Sequence, residues 1–165
     1  MTKTSERDIT IRPFEEVRDA RRLREIVGEI WAGGSGALME KQYGVVGGRP
    51  WAYWLSNSIL EYFRADECRS FVVEKNGEVA AFYSYVIDKA RSVGTVGYNG
   101  VAKGHQGTGI GSLMMDRVMD GFRSEEMEYA TVLVADNEEH VPALRNYEKH
   151  GFHRLTGYHE LVQKL

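Results

Sequence analysis

Near the middle of the chain, Lys75-Asn76-Gly77-Glu78 separates two apolar runs, residues 70–74 and 79–85. Asn and Gly both tolerate positive φ, which a tight two-residue turn requires, so the runs are predicted to form adjacent antiparallel strands. That hairpin excludes a helical bundle and makes a sheet the organising layer. Downstream, residues 93–101 read as a further strand despite Gly94, Gly97 and Gly100, whose missing side chains mark a bulge or a close approach. Helical spacing then returns in Leu113, Met114, Val118 and Phe122. Residues 129–134 read as a strand, 142–150 as a helix begun through Pro142, and 158–162 as a last strand.

Upstream, Ile9-Thr10-Ile11 before Arg12-Pro13 gives a short strand. Leu23, Ile26, Val27, Ile30 and Trp31 follow at the spacing of a helix with one buried face. Gly33, Gly34 and Gly36 end that helix and open a flexible connection, closed by Gly47-Gly48, before a helix over residues 51–63. No linker, repeat or composition shift divides the chain, so residues 1–165 are expected to form one α/β (α+β) domain. Its expected architecture is a single mixed sheet flanked by helices.

Composition narrows the function. With 21 basic and 24 acidic residues the net charge is -3, too little positive field for nucleic acid to be the principal partner. No apolar run approaches the length of a membrane span, and the opening MTKTSERD lacks a leader pattern, so a cytoplasmic location is expected. The lone Cys68 can form neither an internal disulfide nor a thiolate cluster. The histidines have no metal-ligand spacing, so no metal is expected.

The 18 glycines concentrate attention on Gln106-Gly107-Thr108-Gly109-Ile110-Gly111, between a predicted strand and a predicted helix. Amides of such a loop converge on an anion, with the helix dipole adding attraction and Ser112 adding a hydroxyl. A plain turn that packs closely through Gly111 is the other reading. The loop lacks the Gly-Lys-Ser/Thr ending of a Walker loop, and Ser112 stands where a dinucleotide fingerprint has its third glycine.

The run from Val101 to Gly111, with Gln106, Gly109 and Gly111 at its fixed positions, resembles the acyl-CoA signature of the GNAT superfamily of N-acetyltransferases. Asn137 and the run from Pro142 to Phe152 resemble the superfamily's second half, so the likeness covers residues 93–153 best. It implies a mostly antiparallel sheet with splayed central strands, the acyl-CoA N-acyltransferase fold. It also implies acetyl-CoA as acyl donor, its pantetheine arm lying in the gap as a pseudo-strand. Backbone at Asn99 and Val101 would pair with that arm. Amides of Gln106, Gly107, Thr108, Gly109, Ile110 and Gly111, with Ser112, would hold the diphosphate. Asn137 would touch the pantetheine, and Tyr147 would donate a proton to the departing thiolate. Without the resemblance, Tyr147 reads first as a core aromatic near the last helix.

Two departures bear on mechanism. Asn137 and Tyr147 stand ten residues apart, farther than in many relatives, and Gly97-Tyr98-Asn99-Gly100 has no carboxylate where some relatives place a base. Glu74, Tyr83, Tyr98 and His105 remain candidate bases beside a water relay. The expected reaction is direct acetyl transfer to a primary amine of a small molecule or peptide, with an acyl-CoA sensor on the same fold as the competing class. Trp51, Tyr53 and Trp54 are candidates for the acceptor wall, or for helix packing. A homodimer is compatible with exposed sheet edges.

Overall fold

The computed structural model describes residues 9–165. Its elements run β1 Ile9–Pro13, α1 Glu16–Ile30, α2 Ser35–Tyr43, α3 Trp51–Phe63, β2 Cys68–Lys75, β3 Glu78–Asp88, β4 Val93–Val101, α4 Ile110–Ser124, β5 Tyr129–Val132 and α5 Val141–Lys149, with 3-10 turns at Lys103–His105 and Glu138–His140. The five strands lie in sequence order β1-β2-β3-β4-β5; each neighbouring pair is antiparallel except β4 with β5, which is parallel. The mixed, mostly antiparallel sheet expected from the sequence is present.

Helices cover both faces, which is why β3 is apolar almost throughout rather than alternating with polar residues. Tyr83, Tyr85 and Ile87 pack on one face against Met114, Met115, Val118 and Phe122 of α4 and Tyr147 of α5. Phe82 points to the other face, among Leu23, Ile26 and Val27 of α1 and Ile59 and Leu60 of α3. Each of these large side chains contributes about 1.5–3 kcal/mol through removal from water.

β4 and β5 pair only from Val93↔Tyr129 to Val96↔Val132. Just beyond, the register of β4 on β3 slips: Tyr85 faces Val96 and Tyr83 faces Asn99, so Gly97 and Tyr98 together oppose Ser84. A bulge of this kind bends and twists its strand, and β4 leaves β5 at this point. The bulge is filled tightly. A Cβ at Gly97 would overlap the Ser84 hydroxyl and crowd the Tyr62 ring, while Ser84 Oγ donates to the Tyr98 carbonyl at 3.0 Å. The central splay anticipated from the sequence therefore has a local cause.

Three expectations are corrected. The connection after α1 contains α2, a helix with no buried residue, so its sequence carries no burial stripe. β5 ends at Val132 rather than at residue 134. Residues 158–162 form no strand; Tyr158, Leu161 and Val162 are exposed and unpaired. Among the described residues, no helix is long and apolar enough to cross a membrane.

The start of α1 is tied to the sheet by Asp19, whose side chain is 2% exposed. Both its carboxylate oxygens accept from Arg12 at 2.7 Å, and one also accepts the Glu15 amide at 2.8 Å. Burial alone would raise its pKa, but these hydrogen bonds and the Arg12 charge prevail and hold it below the ordinary value. A depressed folded pKa stabilises above the unfolded pKa and is lost as pH falls through the folded one. Asp19→Ala is expected to cost about 1.5–3 kcal/mol at pH 7, because Arg12 and the Glu15 amide lose their charge-assisted hydrogen bonds while Arg12 keeps Glu74. Urea denaturation at pH 7 and pH 3 should show that the variant loses less stability on acidification than the wild type.

Candidate active site

Where β4 and β5 part, a cleft of about 1140 Å³ opens through the sheet, flanked by Gly97–Val101 on one side and Leu133–Ala135 on the other. Parting leaves the outer backbone edge of β4 without a strand partner, and two side-chain amides occupy it. Asn99 Nδ2 donates to the Gly97 carbonyl and Gln106 Nε2 to the Val101 carbonyl, both at 3.1 Å.

On the α4 face, the glycine loop enters the helix through left-handed backbone. Gly107 has φ +73 and Gly109, the α4 N-cap, has φ +86, conformations that side-chain-bearing residues rarely adopt. Among the described residues, no amide from Gly107 to Ser112 donates to another group of the chain; the first bond of the α4 ladder is Leu113 N to Gly109 O. Gln106 differs, since its amide turns back to Lys103 O at 3.4 Å. Unpartnered N–H groups at a helix start attract an anion, and Lys149 Nζ, 3.4 Å from Ser112 Oγ, adds positive charge beside them. Thr108 spends its hydroxyl on His105 O at 2.6 Å, and the Ile110 side chain is core, so each offers this site only its amide.

Tyr147 lies deeper, on α5, 6% exposed and packed against Phe152. Its hydroxyl oxygen accepts from Asn99 Nδ2 at 3.0 Å. That bond leaves the phenolic hydrogen free to point elsewhere, and the cleft wall includes both residues. Burial raises the Tyr147 pKa, and the Asn99 bond opposes the rise. α5 is anchored on the glycine loop by Asn146 Nδ2, which donates to Gly111 O at 3.0 Å. No sequence motif assigns Asn146 a role; its one signal is its place beside Tyr147 in the run from Pro142 to Phe152.

The remaining predicted residues divide. Asn99, Val101, Gln106, Gly107, Gly111 and Tyr147 all line the cleft. Asn137 caps the Glu138–His140 turn, its Oδ1 accepting from the His140 amide at 3.1 Å and lying 2.6 Å from His140 Nδ1. Its neighbours Glu139 and His140 reach the cleft wall instead, a placement that spacing alone did not reveal. Of the candidate bases, Glu74 is held by Arg12 and Arg18, each at 2.8 Å, on the β1–β2 side of the sheet. Tyr83 is buried, and Tyr98 lines the cleft. Cys68 is buried at the start of β2, its thiol pushed up to about 11 mainly by burial.

The profile of the acetyltransferase (GNAT) family matches residues 37–152. The chain belongs to this family. GNAT enzymes use acetyl-CoA, and the chain shares its fold with solved acetyltransferases. The ribosomal-protein-S18-alanine N-acetyltransferase of Escherichia coli is 18% identical, with a TM-score of 0.66 over 90% of this chain and 79% of that one. The glucosamine-6-phosphate N-acetyltransferase of Arabidopsis thaliana is 19% identical, with a TM-score of 0.59 over 94% and 99%. A predicted acetyltransferase from Clostridium acetobutylicum, solved with acetyl-CoA, is 14% identical, with a TM-score of 0.61 over 93% and 96%. No curated protein matches the chain.

The Asn99 bond makes a spectroscopic prediction. A phenol titration at 295 nm, taken as wild type minus Tyr147→Phe, should place Tyr147 ionisation above its ordinary value near 10. Asn99→Ala should move it higher still, because the donor that favours the phenolate is gone.

Proposed function

We propose that this GNAT protein transfers an acetyl group from acetyl-CoA directly to a primary amine, within a complex of protein and both substrates. The observation that carries this reading is the row of unpartnered amides from Gly107 to Ser112 beside a gap that leads to the Asn99–Tyr147 pair. Glycines keep Cβ atoms off those amides, the helix dipole and Lys149 favour negative charge, and the site therefore suits a diphosphate. Acetyl-CoA supplies the acetyl group already activated as a thioester. The exposed edge of β4 is suited to an amide-bearing arm, which would replace the side-chain amides of Asn99 and Gln106 at the Gly97 and Val101 carbonyls.

Chemistry requires three proton movements. The acceptor ammonium loses one proton, to water or to a group in the cleft, before its nitrogen forms the new C–N bond, and that nitrogen sheds a second as the neutral amide forms, which water can return to the Tyr147 oxygen. The departing sulfur takes a proton as the C–S bond breaks, and Tyr147 is positioned to give it. Burial keeps the phenol protonated at neutral pH, while the Asn99 N–H offsets part of the charge left on oxygen when the proton departs. Backbone N–H groups at the β4 bulge provide donors fixed in advance for charge developing on the acetyl oxygen. Cys68 supports direct transfer by its position: it is buried, protonated and outside the cleft wall.

Release of CoA thiol across an amine panel, with mass spectrometry of the product, tests the reaction. Tyr147→Phe is expected to lower kcat about 10²-fold or more, with the Kd for acetyl-CoA unchanged within twofold. Equal loss of both would return Tyr147 to a packing role. Gly109→Val should weaken acetyl-CoA binding first, since its φ of +86 is strained for a β-branched residue. Tight acetyl-CoA binding with no transfer to any amine would identify a sensor instead.

A further inference from the structure

The cleft has two unlike halves because successive β4 side chains beyond the bulge point to opposite faces. Asn99 joins Tyr147 on the α4–α5 face, whereas Tyr98 packs with the α1–α3 face. There the Tyr98 ring meets Trp31 edge-on at 6.3 Å and 89°, and Tyr62 at 5.3 Å and 88°. Met39 of α2 and Trp51 and Trp54 of α3 continue the same wall.

Much of this aromatic surface is left open by the protein's own packing: Trp54 is 46% exposed and Met39 37%. The polar atom of Trp54 is already used, its indole N–H lying 3.0 Å from Val46 O and 3.2 Å from Arg49 O. Only its ring faces remain to receive a ligand. Tyr62 is a neutral phenol at any working pH, pushed up to about 12 chiefly by burial. This half of the cleft is a set of flat apolar surfaces rather than an array of donors and acceptors.

Its charges are mostly of one sign. Glu40, Glu139 and Glu160 line the cleft against Arg49 alone among lysines and arginines, and the Arg49 guanidinium sits 5.3 Å over the Tyr53 ring. Glu40 is the fixed one: one carboxylate oxygen accepts the Trp51 amide at 2.6 Å, which seats the start of α3 and leaves the second oxygen without a protein partner. A cationic amine gains from ring faces and from these carboxylates. An amine that also carries a carboxylate or phosphate meets like charge with no basic cluster to receive it.

We propose that the acceptor is a primary amine carried on an aromatic or similarly flat apolar body and bearing no anionic group, the chemistry of an arylalkylamine. The inference rests on the transferase reading above and narrows its acceptor. Phenylalanine differs from 2-phenylethylamine only by a carboxylate, glucosamine 6-phosphate replaces the apolar body with hydroxyls and a phosphate, and spermidine removes the ring.

The four compounds are compared by quenching of intrinsic tryptophan fluorescence, on the free protein and on protein saturated with CoA, and by kcat/KM with acetyl-CoA. We expect 2-phenylethylamine to bind about tenfold or more tightly than phenylalanine and to give the highest kcat/KM. Glu40→Gln keeps an oxygen for the Trp51 amide while removing the charge, and should weaken 2-phenylethylamine binding severalfold. Trp54→Ala should weaken 2-phenylethylamine more than spermidine. Equal or tighter binding of phenylalanine, glucosamine 6-phosphate or spermidine overturns the inference while leaving acetyl transfer intact. Failure to bind acetyl-CoA overturns the transferase reading instead, and the comparison on free protein still decides between the four amines.

Discussion

Pairing between β4 and β5 stops after Val96 and Val132, and the site depends on that stop. Had the two strands continued in register, the backbone edge from Gly97 to Val101 would have been consumed by Leu133 and Val134, and the sheet would have been closed. Instead, two residues of β4 oppose one of β3 and the strand swings outward, while ordinary alternation beyond the bulge puts Tyr98 and Asn99 on opposite faces. One local irregularity therefore creates the opening and frees a row of backbone groups. Glycine at position 97 permits it, because the Ser84 hydroxyl and Tyr62 ring occupy the space a side chain would need.

The two mouths carry complementary chemistry. On one, a left-handed turn at Gly107 and Gly109 exposes amides with no internal partner among the described residues, suited to the diphosphate proposed above. On the other, rings and carboxylates favour a cation. Between them, Tyr147 is kept neutral by burial and oriented by Asn99. Asn146 fastens α5 to the first turn of α4, so the proposed proton donor and the proposed anion site are held by the same pair of helices.

Much of this was legible in the sequence, for identifiable reasons. β4 and α3 appeared with the bounds the structure gives, since an uncharged run after a polar turn and a stripe with a clear period mark buried elements. α2 was missed because its residues bury nothing and glycines flank it; what secures it is tertiary, the Glu40 carboxylate on the Trp51 amide. The apolar residues of 158–162 suggested a strand, but a strand needs a neighbour, and β5 ends before offering one. Tyr147 and Asn99 were singled out through resemblance. Their mutual hydrogen bond, across 48 positions, and the meeting of Trp31, Tyr62 and Tyr98 come from folding together segments that no local spacing relates.

The side-chain amides of Asn99 and Gln106 also bear on how this chain survives without a ligand. A bare strand edge beside an apolar opening invites another molecule to add its own backbone there, the first step of sheet-mediated aggregation. By capping the Gly97 and Val101 carbonyls from within, the two residues blunt that template. Each cap is worth only about 0.5–1.5 kcal/mol net, enough to discourage a chance encounter and weak enough to yield to a partner that brings matching amides and a charged anchor of its own.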